Sequence, residues 1–540
     1  MSIESAKTPF QKMSFTPDVP SGSLSANEYN SGLNVETDVR GIKKILGEVD
    51  ILNQIPGQPI FVTGGFRANN TWWFVVATAD GNWWGLDSAN ITSFTPHATT
   101  YINDLYDTNT RITATWNGNV LFINDTINPP MYLLPNGQEI RLYDYAYVDQ
   151  TPNTYIWNYY ADQGYTNFTA KFIRLYATPT LGSILVSGDF TYQVGGTVYH
   201  EPNTLRWSQN FGLNAGPTTW APTLTNIANE LPVPVRGPLI DGFPLNGNFY
   251  MFSYWDCVLM SPIGYQSTSA PVFGISLVTQ GRGLLNENCW AINDTVAFGV
   301  DSSDIWMLNN GTFTEIGNQR VKNWFYNNLH PDHNNQVFAV NNTFKNQYEI
   351  YYPDLTSTGL CNKMLAYRYD LDIWNPPRDV NQAVMAIEAP VFDHTTNQPN
   401  IANRGVVYAS GANTTTHLIQ KDVGNGFFNG GPSQNITAYF RRDNINFGEP
   451  YSNLVEVHRV MPEVYGTGTV TIQVGGADSV GQEPRFKTTA TMYISTSNPW
   501  IQTIQNTQRV TSVIIGSSDS TGTWIIPQVN WQVSVTEDTR

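Results

Sequence analysis

Between Leu284 and Leu329 apolar runs and turn residues alternate in short measures. Trp290-Ala291-Ile292 gives way to Asn293-Asp294, and Thr295–Val300 to Asp301-Ser302-Ser303-Asp304. Ile305–Leu308 then gives way to Asn309-Asn310-Gly311, and Thr312–Ile316 closes the series. β-Branched and aromatic residues suit a pleated strand. Asn, Asp, Ser and Gly tolerate φ > 0 or hydrogen-bond their own backbone, so the pattern is that of hairpins in series. The runs predict one up-and-down sheet the size of a propeller blade. The period then changes, because Val321, Trp324, Phe325 and Leu329 fit one face of a short helix. Trp324 and Phe325 are candidates for packing between blades or between subunits, with plain intrachain core as the alternative.

The same strand-and-turn rhythm runs from Pro59 to about Phe428. Trp72–Ala77 turns at Asp80-Gly81 into Asn82–Leu86, and an Asp-Gly between two such runs is a strong hairpin signal. Ile112–Trp116 turns at Asn117-Gly118 into Val120–Asn124. Phe172–Tyr176 is expected to pair with Ile184–Val186, and Phe249–Tyr254 with Cys257–Met260. Units of this kind recur about every 45 to 60 residues, the spacing of propeller blades, which protect their sheet edges by radial closure. No regular Gly-His…Trp-Asp or kelch pattern marks them; six to eight blades are expected. Adjacent strand residues face opposite ways, so in Trp72-Trp73 and Trp83-Trp84 one ring is core and the other meets a neighbouring blade or subunit, with a platform for stacking sugars or bases as the alternative.

The flanks differ. Residues 1–57 carry the breaker cluster Pro17–Ser23 and read as an extended arm, with a weak helical signal over Thr37–Leu46 that Gly41 and Gly47 interrupt. Gly424–Pro432 reads as a linker. Beyond it Ile436–Phe440, Val455–Val460, Thr469–Val474, Val510–Ile515 and Trp531–Val535 alternate as in an antiparallel sandwich. The expected division is an N-terminal arm (1–57), a β-propeller-like domain (58–428) and a C-terminal β-sandwich-like unit (429–540), an all-β ring of short antiparallel sheets with two appendages.

Composition narrows the function. Of 540 residues 41% are hydrophobic and 13% aromatic, so a large core is available. Only 13% are charged, about half the usual share, which suits turn-dense β-proteins and extensive protein–protein contact. The net charge is −16, and Lys43-Lys44 and Arg441-Arg442 are isolated pairs, expected to be solvated or locally paired. That argues against gripping duplex nucleic acid through its phosphates. No apolar run reaches the length of a membrane span, and Met1–Pro20 lacks the apolar stretch of a signal peptide. Cys257, Cys289 and Cys361 are far apart and read as buried thiols.

Candidate chemistry has a plain competitor at each position. His330-Pro331-Asp332-His333 could offer metal ligands, but Pro331 breaks the helix that would align them. Turn acids such as Asp80, Asp125, Asp294 and Asp304 could serve a propeller glycosidase, yet Asp is an ordinary turn residue. Ser517–Trp524 resembles a sialidase Asp-box with its glycine displaced by one. Gly64-Gly65 precedes a strand rather than a helix, so it is no phosphate loop. The reading is a protein with no catalytic residues, no metal and no cofactor.

Several segments resemble one family. Leu205-Arg206-Trp207-Ser208, followed by Gly216-Pro217-Thr218-Thr219-Trp220, resembles the "RWS…P-x-x-W" segment of nozzle (tail hub, or head-to-tail stabilisation) proteins of short-tailed bacteriophages. Gly32–Gly41, Gly237–Leu245, Ile316–Phe325, Asn446–Pro450 and Val460–Val464 are similar to other parts of that family. This sequence has Gln209 where an acidic residue is expected. Trp207 and Trp220 join Trp324 and Phe325 as candidates for blade or subunit packing. The resemblance implies a structural virion protein in the phage tail, assembled in the bacterial host cytoplasm. It implies a homo-oligomeric, commonly hexameric, ring that docks the adaptor or head-to-tail connector, with tail fibres or a tail needle as further partners. Genomic DNA would pass through the conduit without sequence-specific binding. The competing class is a propeller glycan-binding protein or glycoside hydrolase.

Overall fold

The computed structural model describes residues 3–537 except 52–53, 68–70, 89, 98–105, 108–109, 129, 137–138, 145–164, 221, 223–225, 264–271, 394–397, 413–415, 429–432, 449–450, 480 and 495–498. Ala221, Glu449-Pro450 and the end of the expected linker, 429–432, therefore lie outside the described residues.

Among the described residues the chain between the two flanks winds into seven four-stranded antiparallel blades. Blade 1 is Pro59–Phe66, Trp72–Thr78, Trp83–Asp87 and Asn90–His97; blade 2 is Thr113–Asn117, Val120–Asn124, Met131–Asn136 and Glu139–Asp144. Blade 3 is Tyr165–Thr178, Gly182–Val194, Thr197–Trp207 and Asn229–Pro232; blade 4 is Leu239–Leu245, Asn248–Ser253, Asp256–Pro262 and Phe273–Gln280. Blade 5 is Trp290–Asn293, Val296–Val300, Ile305–Asn309 and Thr312–Glu315, the hairpin series legible in the sequence. The long strand Ile373–Asp393 serves two blades. Its first half ends blade 6, after Phe338–Asn342, Gln347–Tyr352 and Cys361–Arg368. Its second half begins blade 7, which continues through Gln398–Ser410 and Leu418–Lys421. The fourth strand of blade 7 is Glu48–Asp50, from the N-terminal arm, so the ring is closed by its own beginning. Closure covers an edge that would otherwise expose unpaired backbone groups.

Alternate faces of each blade fill the space between neighbours. Trp72, Phe74 and Val76 pack toward blade 7, whereas Trp73, Val75 and Ala77 pack toward blade 2. Both rings of that pair are thus core, each in a different blade joint.

The turn between second and third strands repeats chemically. Asp80 accepts the Asn82 N–H at 3.3 Å, Asp125 those of Ile127 and Asn128 at 3.1 and 2.7 Å, and Asp301 those of Ser303 and Asp304 at 2.6 and 2.7 Å. Asp354 accepts the Thr356 N–H at 2.8 Å, and Ser253 and Ser410 do the same with hydroxyls in blades 4 and 7. A short polar side chain that bonds the backbone two residues on lets the chain reverse without an unpaired N–H. Blade 3 instead turns through Gly195-Gly196, both at positive φ.

The arm is neither free nor helical in 37–46. Val35–Asp38 and Gly41–Lys44 are strands, because Gly41 takes φ +147° at a point where a Cβ would lie 2.4 Å from the Ile526 carbonyl oxygen. They extend the sandwich sheet of Ile501–Gln508, Asn453–Thr467 and Thr523–Glu537, on whose last strand Glu4–Pro9 also pairs. Ser31–Leu33 edges the other sheet, made of Arg485–Tyr493, Thr469–Ala477, Val510–Asp519 and Ile436–Ile445. Sheet membership therefore cuts across chain order: residues 1–57 complete both the sandwich and blade 7. Phe10, Tyr29, Ile42, Phe440, Val513 and Trp531 share one continuous core with blades 4, 5 and 6.

Candidate functional site

The four candidate aromatics lie at three separate joints. Trp207 ends the third strand of blade 3 and is fully buried toward blade 4, edge-on to Phe273 at 5.4 Å, its indole N–H donating to the Ile227 carbonyl at 2.5 Å. Arg206, one residue earlier, faces the opposite way. Its guanidinium lies 4.3 Å over the Phe168 ring and 5.9 Å from that of Trp220, which is buried toward blade 2. A weakly hydrated planar cation against two ring faces is favourable in a dry joint. Gln209 holds the return loop by accepting the Thr218 hydroxyl at 2.9 Å, so the amide serves where an acid was expected.

Trp324 and Phe325 lie on the helix Lys322–Asn328. Phe325 is buried edge-on to Tyr352 of blade 6 at 5.1 Å, and half-buried Trp324 stands edge-on to Phe15 of the arm at 5.4 Å. Asp18 of the arm accepts the N–H groups of Asn323 and Trp324 at 2.7 and 2.8 Å, completing the helix start. Within the chain this helix ties arm to propeller.

At the axis lies a buried ionic knot that the reading of the sequence missed. Arg174 of blade 3 pairs through two hydrogen bonds with Asp241 of blade 4, at 2.8 and 2.6 Å. The same carboxylate accepts the Trp290 indole N–H at 2.7 Å and the Asn288 backbone N–H at 3.1 Å. Asn288, just before blade 5, accepts from Arg174 and donates to the Ile112 carbonyl at the entry to blade 2. Side chains from opposite sides of the ring thus meet, and the centre of the propeller is filled at this level. The signal for both ions was a lone charge inside an apolar strand run, in Phe172-Ile173-Arg174-Leu175 and Leu239-Ile240-Asp241-Gly242.

A second buried network lies beneath the arm strand that closes blade 7. Glu48 accepts the Tyr408 hydroxyl at 2.8 Å and faces Arg378 at 3.6 Å. Arg378 also donates to Asp422 at 2.5 Å and to the carbonyls of Leu46 and Gly47. Lys345 bridges Asp422 and Glu36 at 2.9 and 3.0 Å, and Lys421 pairs with Glu349. Burial pushes the Glu48 carboxyl up to about 7; Arg378, the Tyr408 hydroxyl and Lys421 only partly offset it, and Asp422 adds to the rise. Glu36 is also buried, but Lys345 and Lys43 outweigh the desolvation and bring it down to about 2.

The remaining candidates resolve into structure. Asp80, Asp125 and Asp304 sit at second-to-third-strand turns of three blades, and Asp294 at a first-to-second turn on the opposite end of blade 5. Asp304 is buried and paired with Lys322 at 3.2 Å. For Asp354, burial raises the carboxyl, but hydrogen bonds from Asn362 and Thr356 outweigh it and hold it low. The His330 and His333 rings lie tilted to one another at 4.4 Å, and no group of three or more potential metal ligands occurs among the described residues. The Asp-box-like turn is a joint: Asp519 accepts the Gly522 N–H and the amino group of fully buried Lys44 of the arm. Lys43 is paired with Glu36 and Asp38. The three cysteines are buried thiols. Among the described residues no helix is long and apolar enough to cross a membrane.

In sequence, no family model and no curated protein matches this chain. Among solved structures, it is similar to the exo-beta-1,3-galactanase of Phanerochaete chrysosporium, crystallised with galactose. The two share 8% identity and a TM-score of 0.23 over 89% of this chain and 100% of that one. A likeness at that level carries no inference about activity.

Proposed function

We propose that this chain is the nozzle, or tail hub, subunit of a short phage tail. In this reading it is a structural protein that assembles as a homo-oligomeric ring, docks the adaptor and guides or closes the path of DNA. The observation that carries the proposal is where the family-like segments fall. Gly32–Gly41 provides sandwich edges, Arg206-Trp207 and Trp220 fill the joints on both sides of blade 3, Gly237–Leu245 holds the axial Asp241, and Ile316–Phe325 ties the arm to blades 5 and 6. The resemblance thus concentrates on residues that hold a scaffold rigid. The net charge of −16 fits a wall along which DNA slides, because like charge repels phosphates. With the propeller axis closed by side chains at the level of Asp241, the proposed conduit runs between chains.

The test is assembly. Purified chain mixed with the adaptor of its phage should give rings by light scattering and in cryo-EM class averages, and purified virions should contain the chain in several copies. A chain that stays monomeric with adaptor present and is missing from virions would end this reading.

A further inference from the structure

We propose that a cleft between blades 7, 1 and 2 is a binding site for a neutral saccharide, a function separate from the scaffold role and not dependent on it. The cleft has a volume of about 660 Å³, within the ~300–1,000 Å³ of small-ligand sites. It opens on the face of the first-to-second-strand turns. Its floor is made by an omission. Gly64 and Gly65 sit in the innermost strand of blade 1, where a Cβ on Gly64 would lie 2.7 Å from Trp72 and one on Gly65 2.7 Å from the Trp116 indole. Without those side chains the Trp116 ring lies against backbone and lines the cleft beside Phe66, which is 40% exposed.

The rim is polar and its charges are matched. Glu388 of blade 7 accepts the N–H and hydroxyl of Thr343 with one oxygen, while its other oxygen lies 3.8 Å from the exposed guanidinium of Arg404. Arg67 is paired with Asp87. Across the cleft Asn214 accepts the Asn119 backbone N–H at 2.9 Å, an approach that Gly118 permits, since a Cβ there would lie 1.9 Å from the Asn214 side-chain oxygen. Amide and guanidinium–carboxylate groups thus set donors beside acceptors at the mouth, the arrangement that vicinal hydroxyls satisfy. The aromatic wall offers a negative ring face to the C–H face of a pyranose. Because each guanidinium already has a carboxylate partner, an anionic ligand gains little net attraction, and the site selects uncharged sugars.

The experiment uses the full chain in saturation-transfer NMR and calorimetry, with maltotriose, laminaritriose and tri-N-acetylchitotriose as neutral probes and glucuronic acid as the anionic one. At least one neutral trisaccharide should bind saturably. Phe66→Ala and Arg404→Ala should each weaken it by about tenfold or more, ~1.4 kcal/mol. Both side chains are well exposed, so these variants should melt like the native chain. Trp255→Ala, at an exposed aromatic on the opposite face, should bind like the native chain. Absence of saturable binding by all three neutral probes would overturn the proposal. So would tighter binding of glucuronic acid than of any of them, or loss of binding in Trp255→Ala with retention in the other two variants.

Discussion

At the scale of single residues, the strongest commitments are side chains that two blades share. Trp207 fills the joint between blades 3 and 4 completely, so Trp207→Ala leaves a large cavity and should cost ~3–5 kcal/mol in denaturant unfolding. Trp324→Ala should cost clearly less, since that side chain is only partly buried and packs on Phe15 of the arm. Glu48 makes stability depend on pH in an unusual sense. Its carboxyl titrates at about 7 in the folded chain against 4.5 for an ordinary glutamate, so the folded state holds the proton more tightly. Its unfavourable contribution is absent below about pH 4.5, grows as pH rises through 7 and is then constant. Glu48→Gln should therefore raise the melting temperature at pH 8, leave it nearly unchanged at pH 4.5, and flatten the profile between. Glu36, held at about 2, acts oppositely: its stabilisation is present above pH 4.5 and is lost as pH falls toward 2.

At the scale of elements, the N-terminal arm decides how the molecule is held together. It contributes strands to both sandwich sheets, the last strand of blade 7, and the carboxylate that starts the helix Lys322–Asn328. Removing residues 1–51 should leave Leu418–Lys421 and Thr523–Glu537 with unpaired edges and Arg378 without Glu48. Hydrogen exchange should then rise sharply in blade 7 and the sandwich but little in blades 2 and 3. Equal protection of blade 7 in the truncated chain would show that closure does not need the arm. The recurring second-to-third turn gives a smaller test. Asp301→Ala takes the acceptor from the Ser303 N–H and from the buried Asp304 N–H and should cost ~1–3 kcal/mol by thermal melting.

At the scale of the whole molecule, side chains of blades 2, 3, 4 and 5 close the propeller axis at the level of Asp241. The Arg174–Asp241 pair is fully desolvated, so Asp241→Ala strands a cation among Trp290 and Asn288 and should cost ~3–5 kcal/mol, read as a lowered denaturant midpoint. The continuous core joining blades 4, 5 and 6 to the sandwich predicts that these parts unfold together while blades 1 to 3 give a separate transition. Calorimetry of the intact chain would distinguish that from a single cooperative event.

The sequence alone determined what depends on neighbours along the chain. Alternation and turn chemistry specify the hairpins of blade 5, the pairing of Phe172–Tyr176 with Ile184–Val186, and the short helix around Trp324 and Phe325. These follow from local φ/ψ preference and from the period of the apolar pattern, both of which are short-range. Tertiary structure alone decided what depends on distance. The count of seven blades among the described residues rests on Ile373–Asp393 serving two blades and on Glu48–Asp50 completing the last one. Thr37–Leu46 became strands because an edge 480 or so residues away offered backbone partners that outweigh its weak helical signal. The partners of Arg174, Asp241, Glu48 and Arg378 come from different blades or from the arm. A lone charge in an apolar run marks Arg174 and Asp241, but only the fold supplies the opposite charge that makes burying it tolerable.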